Sequence, residues 1–164
     1  MNIGLVSDSH GQAGRLGRAV GELVERGAEA IVHCGDLGSL RCVRALGAAG
    51  VPTWATAGNM DRHVAHLAGV AAHSGVTFGR RSAELDLGDG RYLVAVHGHD
   101  EDLLAELIGG GQFAYVCHGH THRRRDDHVG AVHVINPGAV QRAVPHSAAL
   151  LDTQTDTVTF LEVD

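Results

Sequence analysis

Seven side chains able to bind a metal ion stand in five short, glycine-flanked motifs along the chain: Asp8-Ser9-His10, Gly35-Asp36, Gly58-Asn59, His97-Gly98-His99 and Gly119-His120-Thr121-His122. The donors they offer are carboxylate, amide and imidazole, with no thiolate. Such a set suits borderline and hard divalent ions such as Mn²⁺, Fe²⁺, Co²⁺, Ni²⁺ and Zn²⁺, and argues against an iron-sulfur cluster or a structural zinc site. Seven donors exceed what one four-coordinate ion can use. Two ions about 3.5 to 4 Å apart, sharing a carboxylate and completed by water, would use them all. A water between two cations loses a proton near neutral pH and becomes a nucleophile, and the same cations take up charge on phosphoryl oxygens. An isolated Asp-x-His after a strand is more often a loop or cap than a ligand. Five such motifs in order make a chance arrangement a poor explanation.

The elements that must position these residues follow from periodicity. Ile3 to Val6 reads as a buried strand and Ala13 to Glu25 as an amphipathic helix with Leu16, Val20, Leu23 and Val24 on its apolar face. Ala30 to His33 is a second strand, Ser39 caps a helix running to about Ala49, Pro52 to Ala57 is a third strand, and a short helix runs from Arg62 to Leu67. This alternation predicts parallel strands joined by right-handed crossovers. Beyond residue 75 the pattern turns to strands at Val76 to Phe78, Ser82 to Leu87 and Tyr92 to Val96, with a hairpin turn at Gly88-Asp89-Gly90. A helix from Glu101 to Ile108 should stop at the Gly109-Gly110-Gly111 run. Phe113 to Cys117, Asp127 to His128, Val132 to Ile135, Ala148 to Asp152 and Val158 to Val163 complete the strands. Every nominated ligand then follows the C-terminal end of a strand, the edge where ligands bind in open α/β sheets. Gly11, Gly35, Gly58, Gly98 and Gly119 permit the tight turns between them.

Composition sets the outer bounds. The 164 residues fit a single domain, 1–164, with ordinary globular proportions of 44% hydrophobic and 20% charged residues. Every basic residue is arginine, so lysine Schiff bases and P-loop phosphate ligands are excluded. A net charge of −6 and 4% aromatic residues provide no groove for a nucleic-acid polymer and no attraction to an anionic membrane. The basic run Arg123-Arg124-Arg125 reads as a solvated loop, with phosphate steering the alternative. Cys34, Cys42 and Cys117 are odd in number and unpaired by motif, which favours packing roles and a reducing cytoplasm. No secretory leader and no apolar run of membrane-spanning length are seen.

Of the 13 histidines, His33 and His118 read as structural, and His63 and His66 as one helix face, although either could replace a missing acid. His73, His128, His133 and His146 have no partner visible in sequence. His99 stands two residues past His97, close enough to the cleft to touch a substrate phosphate. Asp61 reads as a cap for the helix that follows it, with orientation of a ligand or pairing with Arg62 as alternatives.

The five ordered motifs, extended by Asn136-Pro137-Gly138, resemble those of the calcineurin-like metallophosphoesterases, in particular their small bacterial and archaeal phosphodiesterase branch. The resemblance covers most of the chain. It implies a four-layer α/β/β/α sandwich of two mixed sheets flanked by helices. It also implies one ion held by Asp8, His10, Asp36 and His122, and a second by Asp36, Asn59, His97 and His120, with Asp36 as bridge. Asp36, Asn59 and His99 are then the residues expected to act in catalysis. A small phosphoester is the implied substrate and a homo-oligomer the implied assembly. The leading activity is phosphodiester hydrolysis. A phosphomonoesterase or nucleotidase, and a scaffold related to the retromer subunit, are the alternatives. The chain departs from the family at Met60, where many members carry a histidine thought to protonate the leaving group. A thioether cannot donate a proton, so esters with acidic leaving groups are expected to be favoured. Ala139 replaces a frequent serine after Asn136-Pro137-Gly138.

Overall fold

A computed structural model describes all residues, 1–164. Eleven strands and four helices alternate as β1 (Asn2–Val6), α1 (Ala13–Glu25), β2 (Ala30–His33), α2 (Leu40–Gly47), β3 (Thr53–Thr56), α3 (Val64–His73), β4 (Val76–Gly79), β5 (Ser82–Asp86), β6 (Tyr92–Val96), α4 (Glu101–Gly110), β7 (Tyr115–Cys117), β8 (Arg124–Val129), β9 (Val132–Pro137), β10 (Ser147–Asp152) and β11 (Thr157–Glu162). They form a six-stranded sheet in the order β11-β10-β1-β2-β3-β4 and a five-stranded sheet in the order β5-β6-β7-β9-β8. The expected four-layer α/β/β/α sandwich is present, with both sheets mixed.

Alternation along each strand explains the layering. On β1, Ile3 and Leu5 face the space between the sheets, where they meet Leu93, Ala95, Tyr115, Cys117 and Ile135. Val6 faces the opposite way, onto Leu16, Val20 and Leu23 of α1. On the second sheet, Val94, Val96, Val116, Val132 and Val134 turn outward beneath Leu103, Leu104 and Leu107 of α4. Strands covered on both faces need apolar residues at every position, which is why β1 and β2 read as continuous hydrophobic runs. The free cysteines Cys34, Cys42 and Cys117 are buried in these cores, as packing roles require.

Helix α1 has no side-chain cap at Gln12, and Gly14, Gly17 and Gly21 lower its intrinsic propensity. Burial of Leu16, Ala19, Val20 and Leu23 holds it, each larger side chain contributing roughly 1.5–3 kcal/mol. Helix α2 is capped as expected: Cys42 N–H donates to Ser39 Oγ at 3.3 Å.

Several local expectations are corrected. Helix α3 begins two residues late and continues to His73, because Leu67 and Ala71 bury against the first sheet. Helix α4 runs through Gly109 and Gly110, and only Gly111, at φ 63°, closes it in the left-handed conformation. Strand β8 begins at Arg124, so Arg124 and Arg125 belong to an edge strand and only Arg123 to the preceding loop.

Candidate metal centre

Loops after β1, β2, β3, β6 and β7 meet at one edge of the sandwich and carry the seven nominated ligands. Five of these, Asp8, His10, Asp36, His120 and His122, have left-handed backbones, with φ between 43° and 68°. That conformation is uncommon for residues with a Cβ and costs energy that surrounding structure must supply. Here the strain lies on the donor residues themselves, which turns their side chains back over the strand ends.

Asp8 is completely buried. Ser7 Oγ, at 2.6 Å, and the His120 N–H, at 3.1 Å, both donate to its Oδ2. Its Oδ1 has no hydrogen-bond partner. Asp36 is arranged in the same way: the Met60 N–H donates to Oδ1 at 2.9 Å, leaving Oδ2 directed at the histidines. Asp36 Oδ2 stands 3.4 Å from His97 Nε2 and 3.8 Å from His10 Nε2. Asp8 Oδ1 stands 3.2 Å from His122 Nε2, 3.8 Å from His10 Nε2 and 4.0 Å from His97 Nε2.

The imidazoles are oriented by carbonyls. His97 Nδ1 donates to Cys34 O at 2.9 Å, and His122 Nδ1 donates to Arg142 O at 3.1 Å. Each therefore carries its proton on Nδ1 and turns the lone pair on Nε2 inward, the tautomer that a metal ligand needs. His97 Nε2, like Asp8 Oδ1, is buried without a hydrogen-bond partner. Unpaired buried polar atoms are costly, and two carboxylates brought together repel each other. A divalent cation relieves both costs. Two donor groups lie close enough to hold an ion, Asp8 with His10 and His122, and Asp8 with Asp36 and His97.

Asn59 and His120 are exposed at the rim. The His120 ring lies 5.1 Å from that of His97, and Asn59 follows Gly58, whose position abuts Asp36. His99 is also exposed, its ring 5.5 Å from His97 and 6.3 Å from His120. Partial burial and the two neighbouring imidazoles lower its pKa, so it is a neutral hydrogen-bonding group at neutral pH. Burial opposes ionisation of Asp36, but the neighbouring His97 and His10 rings and the Met60 N–H outweigh it and lower that carboxyl's pKa. Burial likewise opposes the charge on His97, and Asp36 outweighs it, raising that pKa. At His10 burial prevails over both carboxylates and the pKa falls.

Asp61 is not the helix cap; that position is His63, in a left-handed conformation and without a side-chain cap bond. The buried Asp61 carboxylate instead accepts the N–H groups of Leu37 (3.1 Å), Gly38 (2.7 Å) and Gly58 (2.9 Å). It thus ties the loop carrying Asp36 to the loop carrying Asn59. Asn136 serves the third loop: Nδ2 donates to Gly119 O at 2.9 Å and Thr121 Oγ1 at 3.1 Å, fixing the turn that presents His120 and His122. His33 is fully satisfied, receiving the Gly35 N–H on Nδ1 at 3.1 Å and donating from Nε2 to Ser9 Oγ at 2.9 Å. His118 is only half satisfied, since its Nε2 is buried without a partner.

Sequence reasoning missed Arg142. Its backbone orients His122, its charge bears on His10, and it lines an open cleft with Thr121, His122 and Arg123. A second cleft beside His97 and His99 is lined by Arg80 and Arg81. Arg124 and Arg125 are engaged elsewhere, Arg124 over the Phe160 ring and Arg125 with Asp127 at 2.8 Å. Met60, with Gly38, Asp61, His63 and His66, borders a third cleft next to the Asp36 loop. No signal short of the folded loops placed Arg142 there, because an arginine in a polar turn has no distinguishing spacing.

The fold and these motifs define a class. A family model for the calcineurin-like phosphoesterase superfamily domain matches residues 1–156, and the chain belongs to that superfamily. A protein of Methanocaldococcus jannaschii named as a phosphodiesterase is 30% identical over 141 residues, covering 84% of this chain and 83% of its own. A solved archaeal phosphodiesterase superposes with a TM-score of 0.90 at 26% identity over 100% of both chains. The Entamoeba histolytica Vps29 structure with zinc shares the fold at a TM-score of 0.64 and 16% identity, over 100% of this chain and 99% of that one. No helix is long and apolar enough to cross a membrane.

Proposed function

We propose that the chain hydrolyses phosphodiesters at a centre of two divalent transition-metal ions, and that it prefers esters with acidic leaving groups. The observation that carries this reading is the convergence of Asp8 Oδ1 and His97 Nε2, both buried and unpaired, on Asp36 Oδ2 and the Nε2 atoms of His10 and His122. Asp8, His10, Asp36 and His122 would hold one ion and Asp36, Asn59, His97 and His120 the other, with Mn²⁺ favoured and Ni²⁺, Co²⁺, Fe²⁺ or Zn²⁺ also suited to these donors. When bound, the ions supply the Lewis acidity that activates water and stabilises charge on the phosphoryl group.

The chain's own residues do the rest. Asp36, with Oδ1 fixed by the Met60 N–H, presents Oδ2 to both His97 and His10, at 3.4 Å and 3.8 Å from their Nε2 atoms. Neutral His99 donates a hydrogen bond to a phosphoryl oxygen at the exposed rim, and Arg142 and Arg80 draw the anion to a surface whose net charge is otherwise negative. Met60 borders the cleft beside the Asp36 loop and offers no proton, which favours a departing oxygen that is stable as an anion.

Metal-reconstituted protein is expected to turn over bis-para-nitrophenyl phosphate in the presence of Mn²⁺, Ni²⁺ or Co²⁺, and Asp36→Asn to lose about 100-fold or more of that rate. Met60→His is expected to raise the rate on alkyl esters relative to aryl esters by on the order of tenfold or more. Bound metal without turnover would transfer the chain to the scaffold reading. An unchanged alkyl-to-aryl ratio in Met60→His would remove the leaving-group preference while leaving the metal centre standing.

A further inference from the structure

A second cluster of metal-capable side chains lies at the opposite end of the strands. His133 pairs in register with Tyr115, the first residue of β7, whereas His120 and His122 follow the last. His128 and His133 face each other across the β8–β9 hairpin, their rings stacked with centroids 4.0 Å apart. Asp156 reaches them from the turn between β10 and β11, which belong to the other sheet. Its Oδ1 is 2.8 Å from His133 Nδ1 and its Oδ2 is 3.0 Å from His128 Nε2. His133 Nε2 meets Asp126 Oδ1 at 2.7 Å.

We propose that His128, His133 and Asp156 form a separate site for one divalent transition-metal ion of the zinc class, clamping the edge of the second sheet to the turn of the first.

Two imidazoles and a carboxylate are a three-ligand zinc set, and one donor atom from each residue lies within 4.8 Å of the others. Bonds of about 2.0–2.1 Å in tetrahedral geometry separate donors by roughly 3.4 Å, so the contacts of 2.8 Å and 3.0 Å to Asp156 would lengthen and the stacked rings would splay to admit the ion. Asp126 adds an independent feature. With an ion bound, Asp126 would accept the Nε2 proton of His133 and leave Nδ1 to ligate, the carboxylate-histidine relay that orients metal-bound imidazoles. Burial also differs across the cluster: the His133 side chain is 3% exposed, while those of His128 and Asp156 are 51% and 48% exposed. An ion there would be anchored from within and would keep a position for water.

The competing arrangement is a hydrogen-bond network without metal. Carboxylates only accept, so His133 would then need a proton on each ring nitrogen to satisfy Asp126 and Asp156 together. A metal ion takes the place of the Nδ1 proton.

The test is a count. Chelator-stripped protein is given excess Zn²⁺, desalted and analysed for zinc per chain. Wild type is expected to retain one more ion than either His128→Ala or Asp156→Asn, whatever number the main centre holds. Both variants are expected to keep the Mn²⁺-dependent phosphodiesterase rate, because the altered residues lie at the far end of the strands. Asp126→Asn is expected to keep the extra ion with affinity weakened about 10–100-fold. Equal zinc counts in wild type and both variants would overturn the proposal, leaving the metal-free network. So would loss of zinc from the main centre alone when His128 is changed.

Discussion

Asp61 shows how one side chain can decide whether separate loops act as a site. Its carboxylate holds three backbone N–H groups, two in the Asp36 loop and one in the Asn59 loop. Asp61→Ala would leave them unsatisfied in a mostly buried setting, at a cost on the order of 3 kcal/mol. Because the same bonds hold the two loops in register, metal affinity should fall about 10–100-fold as well. Asp61→Asn retains one oxygen, enough for the Leu37 and Gly58 donors that share Oδ2, and should fall between. Urea midpoints in chelator, together with calorimetric Mn²⁺ titration, check both effects; an Asp61→Ala protein unchanged in midpoint and affinity would refute them. The candidate ligands could be nominated from sequence because acid, amide and imidazole after glycine-flanked strand ends form an ordered pattern. Asp61 was not, because an aspartate before a helix has an ordinary use as a cap, and only the folded loops show that His63 occupies that position. His128 and His133 were illegible for a similar reason: their partner Asp156 belongs to a turn of the other sheet.

At the scale of elements, one substitution type should have opposite signs in two places. Gly17 and Gly21 lie on the open face of α1 with nothing near a built Cβ, so Gly17→Ala and Gly21→Ala should each stabilise by about 0.5–1 kcal/mol and leave activity unchanged. A Cβ on Gly119 would overlap Ser7 Oγ and stand 2.5 Å from Asp8 Oδ2. There Gly119→Ala must part the β7 loop from the β1 loop, costing about 1–3 kcal/mol and most of the metal-dependent rate. Thermal melts and turnover on an aryl diester read the contrast, and a Gly119→Ala enzyme with wild-type turnover would show that the loops need not touch. The bounds of α1 and β2 match those expected from periodicity, because each element buries one clear apolar pattern. Periodicity failed at α4, where contacts of Leu107 and Ile108 with the valine face carry the helix through two glycines, and at β8, where a polar edge strand has no apolar alternation to read. Neither feature is intrinsic to its segment; both arise from what the segment packs against.

For the whole molecule, converging so many histidines on one sheet edge sets a dependence of stability on pH. His33 and His118 lie within the scaffold beneath the ligands, and burial lowers their pKa values to about 3 and about 4. Unfolding returns each to the ordinary value near 6.5, so below that pH the unfolded chain takes up protons that the native state refuses. Stability must therefore fall as pH drops from about 6.5 toward 4, with a slope approaching about 1.4 kcal/mol per pH unit for each group. Asp36 and Asp156, with lowered pKa values, act in the same direction at more acidic pH, since their stabilising charge is lost as pH falls through the carboxylate range. His97 opposes them: its raised pKa favours the native state at low pH and loses that contribution as pH rises through the folded value. Two strongly lowered histidines outweigh one raised, so the net sign is acid destabilisation. Urea unfolding in chelator at pH 7 and pH 5 should show a clearly lower midpoint at pH 5, and His33→Gln should flatten the dependence whatever it does to the midpoint itself. Equal midpoints at the two pH values would mean that these rings gain protons in the folded chain as readily as in the unfolded one. The hydrogen bonds from Gly35 to His33 and from His33 to Ser9 would then have to break and re-form around an imidazolium, a rearrangement the covered edge between β1 and β2 gives no room for.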